Sequence, residues 1–267
     1  MIKAALILLA ISTVGLSFAL PAQTPVDRSW SILRSGLADE KEDSRAKAAD
    51  ALGLLARDGR ARQMAEAALA DSSPEVRAEA AAALGHIGLR ESVPKLTNAL
   101  QDKESAVVFS AANALYAMGD PTGYGVYYAV LTGERKTGDK LMEAQLKMLK
   151  DPEALGRMGF EVGMGFIPFG GLGFKAIKSI RQDNVTPVRA AAAQKLARDP
   201  DPRSAEALVQ AVSDEKWLVR ASAISAIAQR GDAALLSSVT PKLDDPEDGV
   251  RYNAAAAVIR LSGSRPK

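Results

Sequence analysis

Apolar residues recur along this chain three, four and seven positions after a fixed point. Ala80, Ala81 and Leu84 follow Arg77, and Ala223, Ile224 and Ile227 follow Arg220. Ala111, Ala112 and Leu115 hold the same places after Val108. This spacing lays one apolar stripe along an α-helix. Alanine at several of these positions lets neighbouring helices approach closely. A shorter amphipathic segment precedes each stripe, as in VPKLTNALQD (93–102) and AEALVQAVSD (205–214). The pattern therefore predicts a unit of two helices joined by a turn. Pro74 and Pro187 stand where a first helical turn tolerates proline, with Ser73 and Thr186 before them as expected N-caps.

The unit repeats. An aspartate stands six residues before an arginine in Asp39/Arg45, Asp71/Arg77, Asp183/Arg189, Asp214/Arg220 and Asp245/Arg251. Asp102 keeps the aspartate, but Val108 replaces the arginine. The aspartates are separated by steps of 32, 31, 81, 31 and 31 residues. The long step accommodates one degenerate unit near Gly133, with DKLMEAQLKMLKD as its second helix, and about 19 extra residues. Seven units result, six clear and one weak. One helix pair cannot bury its apolar face alone, so the expected fold is all-α: a right-handed α-solenoid over residues 23–267 with an insert at about 152–171. Stacking sets the aspartates and arginines in a row. Each arginine comes with its own aspartate, which argues for a structural ladder over a phosphate-binding one.

The run of Asp, Val-Arg, Ala-Ala and Ala-Leu-Gly, as in Asp71 followed by SPEVRAEAAAALG (73–85), resembles the HEAT-repeat proteins, in particular the short-repeat class first noted in phycobilin lyases. The resemblance covers residues 26–267 apart from the insert. It implies the solenoid fold and a role as scaffold or binding surface. It does not imply lyase activity, because no lyase-specific motif is present.

The first residues, MIKAALILLAISTVGLSFALPAQ, have the form of an export signal: Lys3, then an apolar run over residues 4–16. Small residues stand at two cleavage points, after Ala19 or Ala22. An uncleaved anchor is the alternative, although the run is short of the roughly 20 residues of a spanning helix. Residues 1–22 are thus expected to be a signal peptide and the protein to be exported, periplasmic or secreted. Export also sits poorly with cytoplasmic pigment assembly. The chain has no cysteine, which excludes disulfides, thiol chemistry and zinc–thiolate sites. A net charge of +2, from 34 basic and 32 acidic residues, gives no electrostatic case for nucleic acid.

Catalytic chemistry finds little support. His86, the single histidine, lies in LGHIG near a helix end and reads as an ordinary helix residue. The carboxylate pairs Asp39-Glu40, Glu42-Asp43, Asp244-Asp245 and Glu247-Asp248 fall at repeat turns or helix starts, where they complement the helix dipole. Asp244, Asp245 and Asp248 fall short of the ligand count of a calcium loop. GMGFIPFGG lacks the lysine and serine of a phosphate-binding loop. No cofactor or metal is expected.

The middle of the chain is different. Nine of thirteen aromatic residues lie between 109 and 174: Phe109, Tyr116, Tyr124, Tyr127, Tyr128, Phe160, Phe166, Phe169 and Phe174. The degenerate unit and the Gly/Phe-rich insert GFEVGMGFIPFGGLGF (159–174) share this region. Burying Phe160, Phe166 and Phe169 contributes roughly 5 to 9 kcal/mol gross, so these rings need cover. Three arrangements provide it: a plug against the solenoid, a protein partner, or a membrane surface. On the concave wall, positions one, two and five after the arginine point away from the core, which brings Phe109, Asn113 and Tyr252 into view. The expected partner-binding residues are Phe109, Asn113, Tyr116, Phe160, Phe166, Phe169 and Tyr252. The expected function is a non-catalytic exported scaffold that binds a protein. A membrane-associated scaffold is the alternative, followed by an enzyme subunit of the lyase-type group.

Overall fold

A computed structural model of the protein describes residues 23–132 and 185–263. The expected signal peptide, the insert and the second helix of the degenerate unit lie outside the described residues. Within them the elements are α1 (Pro25–Leu37), α2 (Glu42–Leu52), α3 (Gly59–Ala68), α4 (Pro74–Ile87), α5 (Val93–Ala99), α6 (Ser105–Ala117) and α7 (Pro121–Thr132). The second stretch forms α8 (Val185–Leu196), α9 (Pro202–Ala211), α10 (Trp217–Arg230), α11 (Leu236–Val239) and α12 (Asp248–Gly263). Short 3-10 turns cover Arg90–Ser92, Ala233–Leu235 and Thr240–Asp244.

The two-helix unit forms as the spacing predicts. The stripe residues Ala80, Ala81, Leu84, Ala111, Ala112, Leu115, Ala223, Ile224 and Ile227 are all buried. Outer helices (α1, α3, α5, α9, α11) pair with inner ones (α2, α4, α6, α10, α12). Inner helices stack on their neighbours, α2 on α4, α4 on α6, α8 on α10 and α10 on α12. This is an α-solenoid. No helix among the described residues is long and apolar enough to cross a membrane.

The expected capping changes in detail. Ser73 is the N-cap of α4 but makes no side-chain cap bond, and Thr186 already lies inside α8. The preceding aspartate supplies the bond instead. The carboxylates of Asp39, Asp71, Asp102, Asp214 and Asp245 each accept the backbone N–H two residues on, from Lys41, Ser73, Glu104, Lys216 and Glu247. This fixes the turn before each inner helix.

The order of the stack is the main departure from the sequence pattern. The last helix, α12, packs against α1 and α2. The first unit thus continues the stack after the last one, so the solenoid runs α8 to α12 and then α1 to α7. One apolar core spans both arrays, from Trp30 and Leu33 through Leu84 and Leu115 to Ile224 and Leu261. The physical reason is that a terminal helix pair leaves its outer apolar face uncovered. Here α1 and α12 cover each other. Gly36 makes the approach close, because a Cβ there would stand 2.6 Å from the Tyr252 ring.

Candidate functional site

The aspartate–arginine rows form a ladder, with one difference from expectation. Arg45, Arg77, Arg189 and Arg220 each meet the aspartate of the next unit. Arg45 binds Asp71 through Nε (2.8 Å) and Nη2 (2.9 Å), and Arg77 binds Asp102 at 2.7 and 2.8 Å. Arg220 binds Asp245 at 2.8 Å through both nitrogens, and Arg189 pairs with Asp214 at the exposed end. In Arg45, Arg77 and Arg220 the third nitrogen, Nη1, returns to its own turn. In Arg77 it donates to the carbonyls of Asp71 (2.9 Å) and Ser72 (3.1 Å). The guanidiniums of Arg45, Arg77 and Arg220 are therefore committed to the fold. Their partners respond accordingly: Arg45 holds the Asp71 carboxyl below the usual carboxylate range, and Arg77 does the same to Asp102. Val108, lacking a guanidinium, ends the ladder at Asp102.

The expected chemical alternatives find no assembly. Asp244, Asp245 and Asp248 are each taken by a different arginine, Arg28, Arg220 and Arg251. Among the described residues no group of three acidic, histidine or cysteine side chains could hold a metal ion. His86 is exposed on the last turn of α4, and desolvation by its surroundings lowers its pKa. Asp50 on α2 carries a signal that spacing does not reveal: burial pushes its carboxyl up to about 7.

The structure brings three of the expected partner-binding residues onto one helix and sends another elsewhere. On α6, Asn113 and Tyr116 are exposed and Phe109 is half-buried. Tyr252 is corrected. It is buried under α1, with its hydroxyl 2.7 Å from Ser44 Oγ. The position faces the next unit of the stack, and that unit is present. Phe160, Phe166 and Phe169 lie outside the described residues.

The neighbouring α7 extends the α6 face. Gly123 brings it close: a Cβ there would lie 2.4 Å from the Tyr116 nitrogen and 2.6 Å from the Ala112 carbonyl oxygen. Tyr127 then meets Tyr116 edge-on, with ring centroids 5.8 Å apart, and Tyr124 lies beside Tyr128 at 5.9 Å. Tyr116 and Tyr124 are each 57% exposed and Tyr128 is 43% exposed. Burial raises the pKa of the Tyr127 hydroxyl. The face also lacks charge. Neither SAVVFSAANALYA of α6 nor PTGYGVYYAVLT of α7 contains an acidic or basic residue. Every other helix of eight or more residues among the described ones contains at least one. The sequence pattern locates the aromatic cluster but does not select Tyr124 and Tyr128. The glycines at 123 and 125 weaken the helical pattern there.

Comparison with known proteins agrees with the repeat architecture. The family model for HEAT repeats matches residues 61–124 and 175–260, together more than half of the chain. A comparison with curated proteins finds no match. Among solved structures, human deoxyhypusine hydroxylase in complex with glycerol is 18% identical, covering 89% of this chain and 97% of its own, with a TM-score of 0.35. The complex of CpcE and CpcF of phycocyanin lyase from Nostoc sp. is also 18% identical, covering 94% and 99%, at 0.34. A designed armadillo repeat protein is 16% identical, covering 86% and 98%, at 0.28. Likenesses at this level carry no argument about activity.

Proposed function

The chain belongs to the HEAT-repeat family, and from that premise we propose that it is a protein-binding scaffold whose docking surface is the tyrosine face of α6 and α7. The observation that carries this reading is the coincidence of exposed tyrosines with two consecutive helices free of charged residues. Interface centres are depleted in charge and enriched in tyrosine, which covers a large area at small entropic cost. Phe109, Asn113 and Tyr116 belong to this surface. The Gly/Phe-rich insert, with Phe160, Phe166 and Phe169, follows α7 in the chain and supplies further apolar contacts to the same partner. The scaffold is non-catalytic and works in the exported compartment; its apolar N-terminus supports export, and its lack of cysteine excludes thiol catalysis. The membrane reading is the weaker one. The insert lacks the basic cluster of interfacial anchors.

Replacing Tyr124 and Tyr128 by serine tests the reading. Both rings are exposed, so the stability should stay within about 0.5 kcal/mol of the parent. Co-purification of the partner from the native host should fall at least tenfold. Equal recovery of the same proteins with both forms would sink the proposal.

A further inference from the structure

We propose that the segment docked on the tyrosine face of α6 and α7 is an uncharged, proline-rich stretch of the partner in the polyproline II conformation. This rests on the docking reading of that face and names the chemistry of what it takes. The first observation is the hydrogen-bonding inventory of the face. The hydroxyls of Tyr116, Tyr124, Tyr127 and Tyr128 have no hydrogen-bond partner among the described residues, and neither has the exposed carboxamide of Asn113. The helix backbone bonds within itself, and the Tyr128 carbonyl also accepts from the Thr132 hydroxyl (2.9 Å). Neither helix carries a carboxylate that could take a peptide N–H. At the turn between them, the Asp120 carboxylate accepts from the Thr122 N–H (3.0 Å) and Arg90 donates to the Met118 carbonyl (3.4 Å). The face therefore offers hydroxyl donors to a neutral ligand rich in carbonyl oxygen. Polyproline II has that character: proline has no N–H, and the helix makes no internal hydrogen bonds, so its carbonyls stay available.

The second observation is the spacing of the rings. Tyr124 and Tyr128 have centroids 5.9 Å apart and planes tilted by 32°. A polyproline II helix has three residues per turn and advances about 3.1 Å per residue, so it lies on a surface as a three-sided prism. Resting on one side, it presents residues i and i+2, about 6.2 Å apart along its axis, which matches the two rings. Tyr116 and Tyr127 meet edge-on at 5.8 Å, which fixes these two rings against each other. Other occupants fit less well. An acidic or phosphorylated segment needs an arginine cluster, which these helices lack. An amphipathic helix needs an aliphatic groove, whereas the exposed large apolar side chains described on α6 and α7 are Tyr116, Tyr124 and Tyr128. An added strand needs a sheet edge, and the described residues contain no strand.

Fluorophore-labelled decaproline, titrated with the full chain and followed by fluorescence anisotropy, tests the proposal. It should bind saturably, and a flexible Gly/Ser peptide of equal length should bind at least about tenfold more weakly. The affinity should change by less than about twofold between about 0.05 M and about 1 M salt, because no ion pair forms. Tyr124→Phe with Tyr128→Phe keeps the rings and removes two hydroxyl donors, and should weaken binding about tenfold. Tyr124→Ser with Tyr128→Ser should abolish it, while both variants keep the helical circular dichroism of the parent. Unlabelled decaproline should release the partner captured on the immobilised chain. No decaproline binding by the parent, while the serine pair still loses the partner, would overturn the polyproline II proposal and leave the docking face standing. Equal decaproline binding by parent and serine pair, or binding that does not release the partner, would overturn it too. So would tighter binding of an amphipathic Leu/Lys helical peptide, or a dimer of the chain that the serine pair dissociates and decaproline leaves intact.

Discussion

Arg77 shows how much a single position in the repeat carries. It joins two turns through a paired carboxylate and two backbone carbonyls, with a side chain only 9% exposed. Arg77→Met should cost about 3 kcal/mol in urea unfolding, because Asp102 is left as an unpaired, mostly buried charge. Arg189→Met, at a 49% exposed end of the ladder, should cost under about 1 kcal/mol. Equal losses would contradict a ladder whose buried rungs hold the units together. Asp50 gives a prediction of opposite sign. Its folded pKa of about 7 lies above the ordinary value of 3.8, so between those values the folded state holds a proton that the unfolded state has released. The stability it contributes is present below about pH 4 and is lost as pH rises through 7. Asp50→Asn should therefore gain on the order of 2 kcal/mol relative to the parent at about pH 8, and little at about pH 4. Asp71 and Asp102 act the other way: lowered in the folded state, they withdraw stability as pH falls below the ordinary carboxylate range. Stability curves of parent and variant, measured at acidic, near-neutral and mildly alkaline pH, would separate the two effects.

At the scale of elements, the repeat was legible because its signals are local. The three-four-seven stripe names the buried face, and the aspartate names the turn. The regularity also concealed something. The six-residue spacing of Asp71 and Arg77 reads as an internal pair, and both do share one turn, but the carboxylate that Arg77 binds belongs to the next unit. Only stacking makes that choice, and spacing within a unit cannot show it. The α6–α7 pair was half legible. Its aromatics stood out, whereas Gly123 looked like a weakness of the helix. In the fold this glycine permits the close contact with α6. Gly123→Ala should thus destabilise despite alanine's higher helix propensity, by about 1–3 kcal/mol from overpacking. A stabilised variant in thermal unfolding would mean that α7 does not sit where described.

The order of the whole stack was not legible. The first and last clear units, with Asp39/Arg45 and Asp245/Arg251, carry the same motif, so nothing in it distinguishes an open end from one that meets the far end of the chain. Tyr252 illustrates the consequence. Its place after Arg251 put it on the concave wall, and α1 turned that wall into an interior. The opposite holds at α6 and α7. There the ladder stops at Asp102, charge disappears from the helices, and the tyrosines remain exposed, all at the end of the array that leads into the Gly/Phe-rich segment. The most direct test of the scaffold role is photo-crosslinking in the native cell, with the reactive residue at Tyr124 and a control at the exposed Glu206. A scaffold that docks its partner on α6 and α7 should give a discrete protein adduct at Tyr124 and none at Glu206. No adduct at Tyr124, or the same set of adducts at both positions, would contradict it.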